Sequence, residues 1–237
     1  MAVITTTEEA VKNIKDGMRV AIGGFFGTGA PLKVIDVLAE SDVNNLTLVG
    51  VGGGSSRGRD VNKLARNRKI KKFIGTHIGT DKDFIEQYNS GELEVEFNPL
   101  GTWIERLRAA GAGLGGIITP TGLGTEVEEN AEKITVEGKE YLLYPPLKVD
   151  VSIIKGWKAD KYGNIQYRGT AVNTNPIIAT AADIVIAEVD EIVEPGEISP
   201  TEIGTQGIFV DYIVKSYPFE DRRKYFEKCW IDNNQLR

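Results

Sequence analysis

Apolar residues in this chain fall in short runs broken by glycine or polar clusters. The runs at 18–22, 46–51, 73–78 and 183–189 are too brief for helices and read as buried strands. Between them, apolar positions recur at helical spacing. Leu32, Val34, Ile35 and Leu38 mark a helix opened by Pro31, and 7–14, 60–68, 81–88 and 102–110 read as helices too, with acids in the first turn of 7–14 and Asp81 at the start of 81–88. Residues 93–97 alternate apolar and acidic, as a strand does. After Gly116 the rhythm changes: 133–144 predicts a hairpin turning at Glu137-Gly138-Lys139 and stopped by Pro145-Pro146. A second hairpin joins 149–155 to 165–167 through Lys161-Tyr162-Gly163-Asn164, and Asn175, as N-cap, opens a helix of small residues. Strands alternating with helices imply right-handed crossovers. The expected fold is therefore α/β, a mostly parallel open sheet flanked by helices, with an antiparallel hairpin excursion in the second half.

No linker, low-complexity tract or repeat divides the chain, so residues 1–218 read as one domain. Residues 219–237 form a helical extension in which Arg222, Arg223, Lys224 and Lys228 alternate with Tyr225, Phe226 and Trp230. Such a helix packs on its own subunit or reaches a neighbouring one.

Composition narrows the partners. With 237 residues, 41% hydrophobic and 26% charged, the chain has enough apolar material for a full core. A net charge of -6 argues against a nucleic-acid surface, and the one basic cluster, residues 66–72, reads as a solvated helix end or a polyanion contact. The single cysteine, Cys229, forms no intrachain disulfide, and no apolar segment approaches membrane-spanning length, so a cytoplasmic protein without membrane contact is expected. One cysteine and one histidine leave no His/Cys metal site.

The chemistry gathers at residues 23–29, where four glycines in seven residues link the strand at 18–22 to the helix after Pro31. Glycines let backbone approach a ligand, and free N–H groups at a helix start attract anions. Gly24, Gly27 and Gly29 give G-x-x-G-x-G, the reverse of the dinucleotide fingerprint, and Asp36 lies too close to serve as its ribose-binding acid. A second glycine loop, Gly52-Gly53-Gly54-Ser55-Ser56, follows the next strand.

The string from Asp16 to Pro31 resembles the signature of the family I coenzyme A transferases, in the subunit called A or alpha, of the 3-oxoacid and acetate-butyrate-acetoacetate type. Ser90-Gly91-Glu92-Leu93-Glu94-Val95-Glu96, Gly101-Thr102-Trp103-Ile104-Glu105-Arg106-Leu107-Arg108, Gly111-Ala112-Gly113-Leu114-Gly115-Gly116 and Thr119-Pro120-Thr121-Gly122-Leu123-Gly124-Thr125 are similar to further stretches of that subunit, in the same order. The resemblance runs over roughly residues 10–215. It implies transfer of CoA between an acyl-CoA and a free carboxylic acid, by a ping-pong route through a glutamyl-CoA thioester. It places the nucleophilic glutamate on a partner, beta, subunit in a heterodimer or heterotetramer. Coenzyme A is then a substrate, with no tightly bound cofactor. The resemblance assigns CoA binding here to Gly23, Gly24, Phe25, Phe26, Gly27, Thr28 and Gly29, with Phe25 and Phe26 either covering the cofactor's arm or packing in the core.

Glu105, Glu126, Glu128, Glu129, Glu188 and Glu194 have the right functional group but sit on helix faces or in polar loops, and read as solvated surface. The chain should carry no nucleophile and be inactive alone. Two departures bear on substrate. The family's Pro-Gln-Gly-Thr is Pro99-Leu100-Gly101-Thr102 here, so a glutamine donor to the acyl oxygen is missing and Asn98 is the candidate replacement. The family's Arg-Asn-Phe-Asn-Pro is Val172-Asn173-Thr174-Asn175-Pro176. His77, the one histidine, reads as structural or as a general base. The alternatives are a nucleotide-binding module, or a non-catalytic regulatory or assembly protein on the same fold.

Overall fold

A computed structural model describes residues 1–54 and 60–232, so Ser55, Ser56 and the end of the extension lie outside the described residues, as do the side chains of Cys229 and Trp230. A first strand, β1 (Val3–Thr5), leads to helix α1 (Thr7–Val11), whose start is fixed by the Thr6 hydroxyl accepting the Glu9 N–H. Strand β2 (Arg19–Ile22), helix α2 (Leu32–Glu40) and strand β3 (Leu46–Val49) follow, with Leu32, Val34, Ile35 and Leu38 buried as their spacing predicts. Next come α3 (Asn62–Arg66), β4 (Ile70–Gly75), α4 (Lys82–Asn89), β5 (Glu94–Phe97) and α5 (Leu100–Gly111). The Asp81 carboxylate caps α4 by accepting the N–H groups of Asp83 and Phe84 at 2.9 and 3.1 Å.

The excursion is a separate sheet of three strands, β6 (Ile117–Thr119), β7 (Glu132–Val136) and β8 (Lys139–Tyr144), in the antiparallel order β6-β8-β7. Its hairpin turns at Glu137 and Gly138, both at positive φ (52° and 77°), the geometry of a two-residue type I′ turn. The chain returns through β9 (Val149–Asp160), β10 (Ile165–Gln166), α6 (Asn175–Thr180), β11 (Ala182–Val193) and β12 (Tyr212–Lys215), and ends in α7 (Phe219–Asp232).

The main sheet runs β1-β12-β11-β9-β2-β3-β4-β5, parallel throughout, with β10 pairing antiparallel to the end of β9. Helices cover both faces. Val20 and Ile22 of β2 pack in one core cluster with α1–α4, while Ala21 packs in the other with Trp103 and Leu107 of α5 and Ile178 of α6. The strand order reverses at β2: the chain first builds outward to β5, then resumes on the other side with β9. Open parallel sheets bind ligands at such a reversal, outside the carboxyl ends of the strands.

Three local expectations change. β6 is a third strand beside the expected hairpin, too short to show alternation. The strand expected at 149–155 extends to Asp160, because its far end pairs with β10 while its body lies at the centre of the parallel sheet. The basic cluster is a solvated helix end in its first half, where α3 ends at Arg66 and Arg66, Asn67 and Arg68 are exposed; in its second half β4 begins, Lys69 donates to the Ser41 carbonyl, and Lys72 pairs with Glu94 and Glu96.

Candidate functional site

Residues 23–29 leave the carboxyl end of β2 and form a closed hairpin. The Gly23 N–H donates to the Ile153 carbonyl at 3.0 Å, extending the β2–β9 pairing by one residue. Phe25 and Thr28 then exchange two backbone hydrogen bonds, both 3.0 Å, across a turn made of Phe26 (φ 49°) and Gly27 (φ 81°). Neither phenylalanine is a core residue. Phe25 is 44% exposed and Phe26 39%, with ring centroids 4.3 Å apart in an edge-to-face pair.

Asn175 pins this hairpin from behind. Its Oδ1 accepts the Lys155 N–H at 2.9 Å, and its Nδ2 donates to the carbonyls of Gly29 at 3.0 Å and Ala171 at 2.8 Å. The N-cap expectation for Asn175 is therefore corrected: Thr174 is the N-cap, and Asn175, fully buried in the first helical turn, turns its amide toward the loop. Gly23 is glycine for the same reason, since a Cβ there would lie 1.9 Å from Asn175 Oδ1.

The anion at the start of α2 is built in. Pro31 offers no side-chain cap. Instead Glu188, on β11, accepts the N–H groups of Lys33 and Val34 at 2.9 and 3.1 Å, together with the Ser216 hydroxyl. Glu188 was expected at the solvated surface, and it is fully buried. Its strand is paired on both edges, by β12 and β9, and its side chain lies under the start of α2; burial pushes its carboxyl above the ordinary carboxylate range, opposed by Ser216, Lys155 and the two backbone donors. These two donors are thus engaged within the chain, and Asp36 is held by Lys63 and Tyr217, an arrangement unlike a dinucleotide site.

Two spaces flank the hairpin. On one side a cavity of about 20 Å³ has Gly24, Phe25, Phe26, Gly52, Gly54 and His77, which follows β4, among its described lining residues. On the other, a cleft of about 320 Å³ separates Thr28 and Gly29 from Trp157, Arg168 and α7. Phe226 of α7 packs against the turn, where a Cβ on Gly27 would lie 2.5 Å from its ring. Arg222 reaches Asp190 at 2.7 Å, and Asp190 also takes the buried Lys155 ammonium at 2.6 Å. Burial lowers the Lys155 pKa against the pull of Asp190. The extension is thus folded against the loop of its own chain.

Asn98, just past β5, is buried. Its Oδ1 accepts from Arg106 at 2.6 Å, and Arg106 also binds Glu96 at 2.8 Å and the Pro145 carbonyl at 3.0 Å. Leu100 is 54% exposed on the first turn of α5, and Asn173 is exposed. Of the remaining glutamates, Glu126, Glu129 and Glu194 are exposed, Glu105 pairs with Arg108, and Glu128 pairs with Lys133. Among the described residues no cluster of three metal-ligating side chains converges, and no helix is long and apolar enough to cross a membrane. Sequence reasoning missed Glu188 and Lys155 as parts of the loop's support; the signal for Glu188 was a charged residue inside the apolar run 184–189, whereas Lys155 meets Asn175 through its backbone N–H, which carries no sequence signal.

This arrangement has relatives. Residues 4–216 match the family described as Coenzyme A transferase. The chain is 41% identical to the acetate CoA-transferase subunit alpha of Escherichia coli K12, over 90% of this chain and 96% of that one. It is 43% identical to the acetoacetyl-CoA:acetate/butyrate CoA transferase alpha subunit of Clostridium acetobutylicum, over 85% and 92%. Among solved structures, the apoenzyme of an acyl-CoA transferase from Escherichia coli O157:H7 superposes with a TM-score of 0.83 at 23% identity, covering 91% of this chain but 47% of that one, a likeness of fold over about half the longer chain. The chain belongs to the coenzyme A transferase family, as an alpha (A) subunit.

Proposed function

We propose that this chain forms one wall of a split active site in a cytoplasmic acyl-CoA:carboxylate CoA-transferase, completed by a beta subunit that carries the nucleophilic glutamate. The partner's carboxylate attacks the thioester carbonyl, CoA leaves as thiolate, and a mixed anhydride forms. The thiolate then attacks the glutamyl carbonyl, releasing the first acid and leaving a glutamyl-CoA thioester. A second acid reverses both steps and departs as the new acyl-CoA. Donor and acceptor are short-chain or 3-oxo acids.

The chain's own contribution is to position CoA. Residues 23–29 offer backbone and two exposed rings to the arm of the cofactor, on a hairpin whose shape is set before the ligand arrives. Asn98 is the group assigned to support the acyl oxygen where Leu100 has no donor; its Oδ1 takes Arg106 and its Nδ2 faces Glu96, so it would have to turn from Glu96 to do so. The observation that carries the reading is the exposed Phe25–Phe26 pair on a pinned glycine hairpin at the sheet's reversal, in a chain whose candidate glutamates are a buried helix cap, surface ion pairs or exposed side chains.

The test is CoA transfer from acetoacetyl-CoA to acetate, measured with the chain alone and with the beta subunit. Activity in the mixture alone supports the split site. Turnover by the isolated chain overturns it.

A further inference from the structure

The cavity between the glycine loops is walled mostly by backbone and hydrocarbon. Among its described lining residues only Asp60 and His77 bring side chains that hydrogen-bond, and Asp60 is buried at 4% exposure. His77 is half-buried at the cavity wall. Its ring centroid lies 6.4 Å from that of Phe25 and 6.1 Å from that of Phe26. Beneath it is Gly52, where a Cβ would come within 2.5 Å of the imidazole Cε1, so the second glycine loop leaves room for this ring.

The ring's tautomer follows from its neighbour. Thr76 has one hydroxyl proton, and donates it to the Val51 carbonyl. The same oxygen lies 3.0 Å from His77 Nδ1. A hydroxyl already donating can only accept there, so Nδ1 carries a hydrogen, and in the neutral tautomer with that hydrogen Nε2 is an acceptor. No group among the described residues hydrogen-bonds to Nε2.

We propose that His77 Nε2 accepts a hydrogen bond from the amide N–H nearest the sulfur in the thioester arm of an acyl-CoA. The inference rests on the transferase reading of this cavity. It follows from matching polarity: a bare nitrogen cannot serve the thioester carbonyl or a carboxylate, which only accept, whereas the amide two carbons from the sulfur has an N–H to give. The cavity has room for about one water, so the amide would meet Nε2 at its mouth, beside the exposed Phe25 and Phe26. Holding that amide fixes the thioester carbon along the arm whatever acyl group it carries, so His77 serves the CoA moiety and not the choice of acid.

The experiment compares His77→Asn and His77→Gln in the enzyme assembled with its beta subunit. Asparagine keeps an N–H near the Nδ1 position for Thr76 and deletes the acceptor at Nε2; glutamine returns an oxygen near Nε2. We expect H77N to raise KM for acyl-CoA about three- to tenfold, the loss of one neutral hydrogen bond, with kcat and the KM for acetate within about twofold of wild type. H77Q recovers most of the loss. An acyl-CoA analogue with that amide replaced by an ester loses the same factor on the wild type and nothing further on H77N. Unchanged KM in H77N, equal shifts for acyl-CoA and acetate, or equal penalties for the analogue on both proteins overturn the proposal. If the assembly binds a CoA thioether but transfers nothing, the transfer reading fails, and the same comparison is read on the thioether's Kd. A wild-type assembly that does not bind the thioether overturns both.

Discussion

Replacing Glu188 with alanine or glutamine separates two ways a buried acid can support the loop. The carboxylate accepts two backbone N–H groups at the start of α2 and the Ser216 hydroxyl, with no solvent to replace it. In Glu188→Ala the Lys33 and Val34 donors lose their acceptor. Each buried orphan donor costs about 1–3 kcal/mol, so the pair should cost about 3 kcal/mol, and Tm should fall by about 6–12 °C for a chain of this size. Glutamine keeps an oxygen for both N–H groups and turns its amide nitrogen to Ser216, so Glu188→Gln should stay within about 1 kcal/mol of wild type at neutral pH. The assay is thermal unfolding followed by circular dichroism. Equal losses in both variants would refute the reasoning, and would mean that charge, not hydrogen-bond acceptance, holds the helix start.

The pH dependence gives a second reading of the same pair. Burial raises the Glu188 carboxyl above its ordinary 4.5. The folded state therefore binds a proton at a pH where the unfolded chain does not. Stability attributable to this group rises as pH falls from neutral through its raised pKa toward 4.5, and is lost as pH climbs back. Wild type should gain on E188Q across that window. A Tm difference independent of pH would count against it.

Gly23→Ala drives a methyl into the Asn175 carboxamide and should cost about 1–3 kcal/mol while weakening CoA binding; full stability and affinity would show that Asn175 does not hold the loop. Asn98→Ala should lower turnover of the assembled enzyme about a hundredfold or more, the scale of one lost oxyanion donor, with Leu100→Ala within about twofold; equal effects would refute Asn98's assignment. Phe226→Ala removes the ring packed on Gly27 and should cost about 2 kcal/mol, about half the value for a fully buried phenylalanine, and raise KM for acyl-CoA; a variant unchanged in both would detach α7 from the loop's function.

Local pattern was enough for most central strands and helices and the position of the loop, but not for the short strands β1, β6 and β12. Val20, Ala21 and Ile22 are apolar in succession because β2 is buried on both faces, and Leu32, Val34, Ile35 and Leu38 show the helical period directly. What it missed depends on partners distant in sequence. Glu188 looked like a surface acid because its contacts are Lys33, Val34 and Ser216, 155, 154 and 28 residues away. Asn175 fitted a cap by residue type and neighbour, yet its amide serves Gly29, 146 residues earlier. The role of a polar residue in a central strand or a buried first turn is decided by whatever crosses it.

The order of strands also has a consequence in time. β2 has β3 on one side, made soon after it, and β9 on the other, and the Asp150 carboxylate at the head of β9 takes the Arg19 N–H across 131 residues. Between synthesis of Gly29 and of Asn175 lie 146 residues, roughly 7–30 s at ribosomal rates of about 5–20 residues per second. Until β9 is made, β2 is an open apolar edge; the glycines lack Asn175, and α2 lacks Glu188 at its start, for longer still. Nascent chains are therefore exposed to edge-to-edge association at β2, and a product ending before Asn175 has the glycine sequence without the loop.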